Sequence, residues 1–426
     1  MKFWPRNSKL RRAGAGLALA LASAACGSSN AGFDDATVAQ NTPSSGGATT
    51  TSSKADSAGQ TAGGTNVGIA DGGMNSTGGA GASGSGASAN GAGSASGGAP
   101  NMAGNGGGAG STQVVVGPLN AANKFAPPDG KTLLVIGQDT TSIEDYAAQV
   151  GPFPAGVMLY TSLTDLAGVA FATDFGAGSD DLGHWTNKSE SFVVQLGLTL
   201  TNSLSNVPSG SLDANIDSLA SDLIATHRPV FLRIGYEFDS SWANYEPNAY
   251  QAAYKHIVDH FRQRGASNVV FVWHAWGYAH SFNEATVEPW YPGDSYVDWV
   301  GVSYFPGWDS PSAQAADAAH EELASFAAAH GKPFMIAESA PKAALEPSLG
   351  ANSWNGWYAP VLSYIASHNV KLFSYINADW DAQPMWAGQG WGDTRVQTNA
   401  YVLGQWKQAI SNTRFLEASS GLYTPQ

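Results

Sequence analysis

A chain of 426 residues with a formal net charge of −14 and only 13% charged residues argues against nucleic acid as a partner, since binding phosphates needs a basic face. Aromatic residues make up 11%, and a surface poor in charge but rich in flat rings suits a neutral ligand rather than a polyanion. With Cys26 as the only cysteine, an intramolecular disulfide is excluded.

In chain order, "MKFWPRNSKLRR" is basic and "AGAGLALALASAA" is a short apolar run, a pattern that reads as a signal segment over residues 1–25 because ~20 apolar residues are needed to span a membrane. Cys26 directly after Ser-Ala-Ala resembles the lipobox of bacterial lipoproteins, with Ser23 where that motif usually has Leu. The resemblance implies lipidation at Cys26 and export to the cell envelope, at an outer membrane or the cell surface, with plain secretion as the other outcome. Residues 26–116 follow as a low-complexity stretch of Gly, Ser, Ala, Asn and Thr with no aromatic after Phe33. Such a segment cannot bury enough apolar surface to offset the entropy of ordering. It reads as a flexible linker, whose coil dimension for about 85 residues is roughly 50 Å.

The folded module is expected at 117–426. Short apolar, β-rich runs occur at 132–138, 155–163, 191–200, 229–238, 268–276, 297–305, 333–339 and 370–379. Helical periodicity falls at 211–227, 248–266, 312–331, 356–369 and 398–412. Strands alternating with helices imply a parallel sheet, and eight strands in about 300 residues imply an α/β fold closed into a (β/α)8 TIM barrel. A doubly wound sheet is the competing fold, but "VIGQDTTS" after the first strand carries a single Gly where that fold usually has a Gly-rich phosphate loop.

In a barrel the chemistry sits where strands end. Glu237 closes the fourth run and Glu338 the seventh. Two carboxylates facing each other across one pore are what a retaining glycosidase requires, one as nucleophile and one as proton donor and then base, about 5–5.5 Å apart. Period-2 alternation puts Arg233, Gly235 and Glu237 on one face of their strand and Phe334, Ile336 and Glu338 on one face of theirs, both toward the pore. Arg233 then serves as the ion-pair partner of Glu338, while burial beside that anion raises the pKa of Glu237.

The segment "LRIGYE" resembles the Arg-x-x-His-Glu signature of the β-mannanase family of glycoside hydrolases, family 26, and "NVVFVWHAW" and "VDWVGVSYF" resemble its fifth and sixth strands. The resemblance runs over 131–412 and implies Glu237 as acid/base, Glu338 as nucleophile, Tyr304 as the hydroxyl that bonds the nucleophile and Arg233 as buried support. Tyr236 stands where the family has His, beside the central sugar subsite. Trp380 is the expected platform under that sugar, with Trp386 and Trp391 nearby.

Further candidates for substrate binding are His274 and the rim aromatics Trp242, Tyr245, Trp276 and Trp308, whose rings can stack on sugars or simply close the barrel. The rim acids Asp239 and Asp379 can bond hydroxyls or cap helices. No HExxH, CxxC, EF-hand or GxSxG pattern occurs, so no metal, cofactor or serine nucleophile is signalled. The sequence therefore reads as a monomeric, exported endo-β-glycanase that hydrolyses a neutral polysaccharide, β-mannan, β-1,3-xylan or mixed-linkage β-glucan, with retention. The alternative is a catalytically silent glycan-binding lipoprotein on the same barrel.

Overall fold

The computed structural model describes residues 119–277, 287–305 and 318–424. The signal segment, Cys26, the linker and Trp308 lie outside these residues. Eight strands form the centre: β1 (Thr132–Gly137), β2 (Gly156–Ser162), β3 (Val193–Thr199), β4 (Val230–Ile234), β5 (Val269–Ala275), β6 (Trp299–Tyr304), β7 (Phe334–Ser339) and β8 (Leu372–Ile376). They pair in parallel and in chain order, and β1 returns to β8 with Leu133 opposite Leu372 and Gly137 opposite Ile376, which closes the barrel. The (β/α)8 reading of the sequence holds.

Outside the ring pack α1 (Thr140–Gln149), α2 (Asp213–Ala225), α3 (Pro247–Gln263), α4 (Ala318–Ala329), α5 (Ala359–Ser367) and α6 (Ala400–Ile410). Helix α1 escaped the sequence reading because it is short and weakly apolar; the Asp139 carboxylate starts it, accepting the Ser142 amide at 3.0 Å. After β2 the place of a long helix is taken by a hairpin, Thr173–Asp174 against Ser179–Asp180, and the single turn Leu182–Thr186.

Alternation along each strand divides the buried apolar residues into two cores. Val135, Phe231, Val272, Trp299, Met335 and Leu372 fill the barrel interior, whereas Leu134, Leu232, Phe271, Val300, Ile336 and Phe373 pack outward beneath the helices. Phe231 and Trp299 meet edge to face at 5.0 Å, and the indole of Trp299 donates to the Lys124 carbonyl at 2.8 Å.

The pattern is broken at two places, and both carry a candidate catalytic residue. Strands β6 and β7 run in step up to Val302 opposite Ile336, after which Ser303 lies opposite Glu338, leaving Ala337 as an extra residue. Phe334 and Ile336 face the helices and Ala337 faces the pore. Plain alternation would therefore turn Glu338 outward; the bulge turns it in. This corrects the expectation that Phe334, Ile336 and Glu338 share the pore face. On the fourth strand the regular ladder ends at Ile234, and Gly235 (φ +55°) and Glu237 (φ +53°) both adopt the left-handed conformation. A Cβ at Gly235 would lie 2.8 Å from the Tyr250 ring on the helix side, so Gly235 faces away from the pore. Glu237 reaches the pore through a left-handed turn, whose cost for a residue with a Cβ is about 1–2 kcal/mol.

Beneath these residues a polar layer crosses the pore. The Gln195 side chain on β3 donates to the Ala337 carbonyl at 2.7 Å and accepts from the Ser374 hydroxyl of β8 at 2.6 Å. Gln195 thus holds the carbonyl at the point where β7 slips its register. Gln195→Leu, which keeps the volume but leaves the Ala337 carbonyl and the Ser374 hydroxyl unpaired, is expected to lower stability by about 1–3 kcal/mol; urea unfolding followed by tryptophan fluorescence measures this, and an unchanged midpoint refutes it.

Candidate active site

Arg233, Glu237 and Glu338 are completely buried. The Arg233 guanidinium crosses from β4 to β7, and its Nη1 donates to Glu338 Oε1. The second hydrogen on the same nitrogen faces Nδ1 of His274 on β5, 3.4 Å away. The guanidinium carbon sits 5.1 Å from the centre of the Tyr160 ring and 5.2 Å from that of Tyr236, within cation–π range of both. Room for this group is made on β3. A Cβ at Gly197 would lie 2.8 Å from Arg233 Nη2 and 2.7 Å from the Tyr160 ring.

The chain of contacts continues to the other carboxyl group. Burial, reinforced by the neighbouring Arg233 charge, holds the His274 imidazole well below its ordinary pKa, so the ring is neutral. A neutral ring that accepts from Arg233 at Nδ1 carries its hydrogen on Nε2, which faces the Ser303 hydroxyl at 3.1 Å. Ser303 in turn donates to Glu237 Oε1 at 2.5 Å, and the Trp242 indole donates to Glu237 Oε2 at 3.0 Å. The links from Glu338 through Arg233 Nη1, His274 and Ser303 to Glu237 each join a donor to an acceptor, so one hydrogen-bonded path connects the two carboxyl groups.

The two ends of this chain differ. Burial first, and the negative charge of Glu338 second, push the Glu237 pKa well above the ordinary carboxylic range, and the bonds from Ser303 and Trp242 offset this only in part. Glu237 is therefore the carboxyl group of the pair disposed to hold a proton. Glu338 keeps one oxygen on Arg233, while its Oε2 is buried without a hydrogen-bond partner, which leaves that oxygen's lone pairs available to an electrophile. An acid that can give up a proton beside an anion with a free oxygen is the charge arrangement of acid-assisted nucleophilic displacement.

The remaining expected residues fall into three groups. Tyr236, Trp242 and His274 surround Arg233 and Glu237, Tyr236 lying 5.6 Å from Trp242 and nearly parallel to His274 at 6.5 Å. Trp276, half-buried, packs against Phe305 at 5.7 Å. Asp239 and Asp379 act on the backbone and on Arg395. Asp239 accepts the amides of Trp276 at 2.5 Å and Gly277 at 3.2 Å, and burial raises its pKa to about 6; Asp379 caps a turn at Ala382 and pairs with Arg395 at 3.1 Å.

Three expectations are corrected. Tyr304 does not meet Glu338: alternation on β6 sends it into the outer core, 5.0 Å from His320 and 5.2 Å from Tyr364. The β6 side chain that enters the pore is Ser303. Trp380 does not offer an open ring face, because it is fully buried, stacked on Trp391 at 4.8 Å with Trp386 at 5.1 Å, and its indole donates to Thr394 at 2.9 Å. Tyr245 likewise belongs to the outer core, where its hydroxyl accepts the Leu200 amide. Tyr160, Gly197 and Ser303 were missed, although counting alternate residues from Trp299 along "WVGVSY" points to Ser303.

Comparison with known proteins agrees with this geometry. The model of glycosyl hydrolase family 26 matches residues 165–373, a span that includes Arg233, Glu237, His274, Ser303 and Glu338 and ends before Trp380. A β-1,3-xylanase from a Vibrio species is 32% identical over 323 residues, covering 70% of this chain and 68% of that protein. A β-1,3-xylanase from an Alcaligenes species is 32% identical over 327 residues, covering 70% and 67%. Among solved structures, a family 26 β-mannanase from Bacteroides ovatus shares the fold, with a TM-score of 0.52 at 14% identity over 69% of this chain and 93% of that one.

Because the Ser303 hydroxyl stabilises the charged form of Glu237, Ser303→Ala is expected to raise the Glu237 pKa further. Titration of 13C-labelled glutamate carboxyls by NMR reads this directly; a downward or absent shift contradicts the proton order assigned to the chain.

Proposed function

The chain belongs to glycosyl hydrolase family 26 and is an endo-acting glycosidase, and on that premise we propose that it cleaves β-1,3-xylan internally with retention of anomeric configuration. The observation that carries the mechanism is the hydrogen-bonded chain joining Glu237, the carboxyl group disposed to hold a proton, to an Arg233-paired Glu338. In the first step Glu338 Oε2 attacks the anomeric carbon while Glu237 passes its proton to the departing glycosidic oxygen, giving a glycosyl ester and a shortened chain. In the second step Glu237, now a carboxylate, takes a proton from water, whose oxygen attacks the same carbon and releases Glu338. Two inversions amount to retention.

During the first step negative charge leaves Glu338 and appears on Glu237. Arg233 touches the first group and reaches the second through His274 and Ser303, so both charge states meet a donor without a change of partner. That is electrostatic preorganisation.

Support for xylan over mannan comes from two sources. Both relatives that align over two thirds of their own length are named β-1,3-xylanases. Tyr236 also stands before Glu237 where the β-mannanase signature has His, held between Tyr160 at 5.4 Å and Trp242 at 5.6 Å, and this departure argues against a mannan-specific subsite.

Export rests on the N-terminal sequence alone, and we place the enzyme at the cell envelope through a lipid on Cys26. Radiolabelled palmitate incorporated by the wild type and lost in Cys26→Ser is the expected result.

Incubation with β-1,3-xylan is expected to release oligosaccharides of several sizes, with the β-anomer first in the proton NMR spectrum; binding without turnover would favour the silent glycan-binding alternative. Glu237→Ala is expected to lose about 10²–10⁴-fold in rate and Glu338→Ala to fall to background, with both variants still folded. Azide added to Glu338→Ala with an aryl glycoside should give the inverted glycosyl azide. In the wild type kcat/KM falls as pH rises through the Glu237 pKa, because the acid is then spent before the substrate arrives. Wild-type rates in either variant discard the assignment.

A further inference from the structure

On the outer wall of the barrel, α2 and α3 each present two side chains one turn apart. Asp213 and Asp217 face His256 and His260 across the helix pair. Both imidazoles turn Nε2 toward one atom: His256 Nε2 is 2.7 Å and His260 Nε2 3.5 Å from Asp213 Oδ1. The rings are 4.7 Å apart and tilted by 32°. Behind His260, Nδ1 lies 3.0 Å from Asp217 Oδ1, and Asp217 Oδ2 is held by Arg264 at 2.9 Å.

We propose that Asp213, His256 and His260 bind a divalent transition-metal ion of the zinc type, with Asp217 orienting the second histidine. The ligand atoms of these three residues all lie within 4.8 Å of one another. Ligands at the ordinary zinc distance of about 2.0–2.2 Å sit roughly 3.3 Å apart in a tetrahedron, so small side-chain rotations bring them onto one ion and leave a fourth position for water.

Two features favour an ion over a plain set of ion pairs. Without a metal, two imidazoles with rings 4.7 Å apart crowd the same carboxylate oxygen. Asp217 also does for His260 what an outer-sphere carboxylate does for metal-ligating histidines. By accepting the Nδ1 hydrogen it fixes the tautomer with a lone pair on Nε2, the atom that faces the other ligands. Paired imidazoles select zinc, copper or nickel over calcium and magnesium, which prefer oxygen. When the ion binds through His256 Nε2, the ring carries its hydrogen on Nδ1, and the metal takes the place of the Nε2–Oδ1 contact as the link between α2 and α3.

The test uses the full chain, purified without a polyhistidine tag and stripped with a chelator. Titration with zinc chloride by calorimetry is expected to give one equivalent of saturable binding, and differential scanning calorimetry a higher melting temperature; calcium chloride gives neither. Asp217→Asn should weaken zinc binding about 10–100-fold, and His256→Ala with His260→Ala should abolish it while the metal-free protein melts cooperatively. The absence of a stoichiometric site in the wild type, or undiminished binding in the double variant, overturns the proposal. Both readouts are independent of hydrolysis, so the metal site and the glycanase reading can fail separately.

Discussion

A guanidinium with no solvent exposure governs the centre of this protein. Taking Arg233 out of water costs several kcal/mol, which only close opposite charge and aligned acceptors can offset. Glu338 supplies the charge, His274 a second acceptor, and the faces of Tyr160 and Tyr236 a further electrostatic contact. Those requirements radiate outward. Gly197 is side-chain-free because the guanidinium occupies the space its Cβ would fill, and His274 is neutral because it is buried and also faces a permanent cation. Removing one member of such a set leaves a buried charge uncompensated, which is why these residues form a unit rather than separate contributors.

The barrel turns this unit into chemistry by departing from its own regularity. Eight parallel strands with perfect alternation would direct Glu338 into the helix layer and carry the chain past position 237 in extended form. The extra residue at Ala337 and the left-handed turn at Gly235 and Glu237 place both carboxyl groups over the pore instead. Each irregularity has an anchor: Gln195 holds the bulged carbonyl, and Ser303 and Trp242 hold the two oxygens of Glu237. Strain at the rim is thus supported by polar contacts with the strands below and beside it.

Much of this was legible in the amino-acid sequence, for reasons that can be named. The eight strands are dense in β-branched and aromatic residues, so their positions were readable to within a few residues, and a strand ending in Arg and Glu signals a buried charged site. What could not be read was any feature set by a break in periodicity. Alternation assigned Gly235, Phe334 and Ile336 to the pore, and the bulge and turn reverse those assignments. Tyr304 illustrates the opposite error, since there the family pattern was followed where alternation alone was right. Trp380 faces inward as expected but is enclosed by Trp391 and Trp386, a contact between residues far enough apart in the loop that no local pattern announces it.

Asp239 carries a consequence of another kind. By accepting the amides of Trp276 and Gly277 it pegs the exit of β5 to the exit of β4, two residues beyond Glu237. The two neighbouring strand exits are thereby tied into one piece, so a displacement at the end of β5 pulls directly on the turn that bears Glu237.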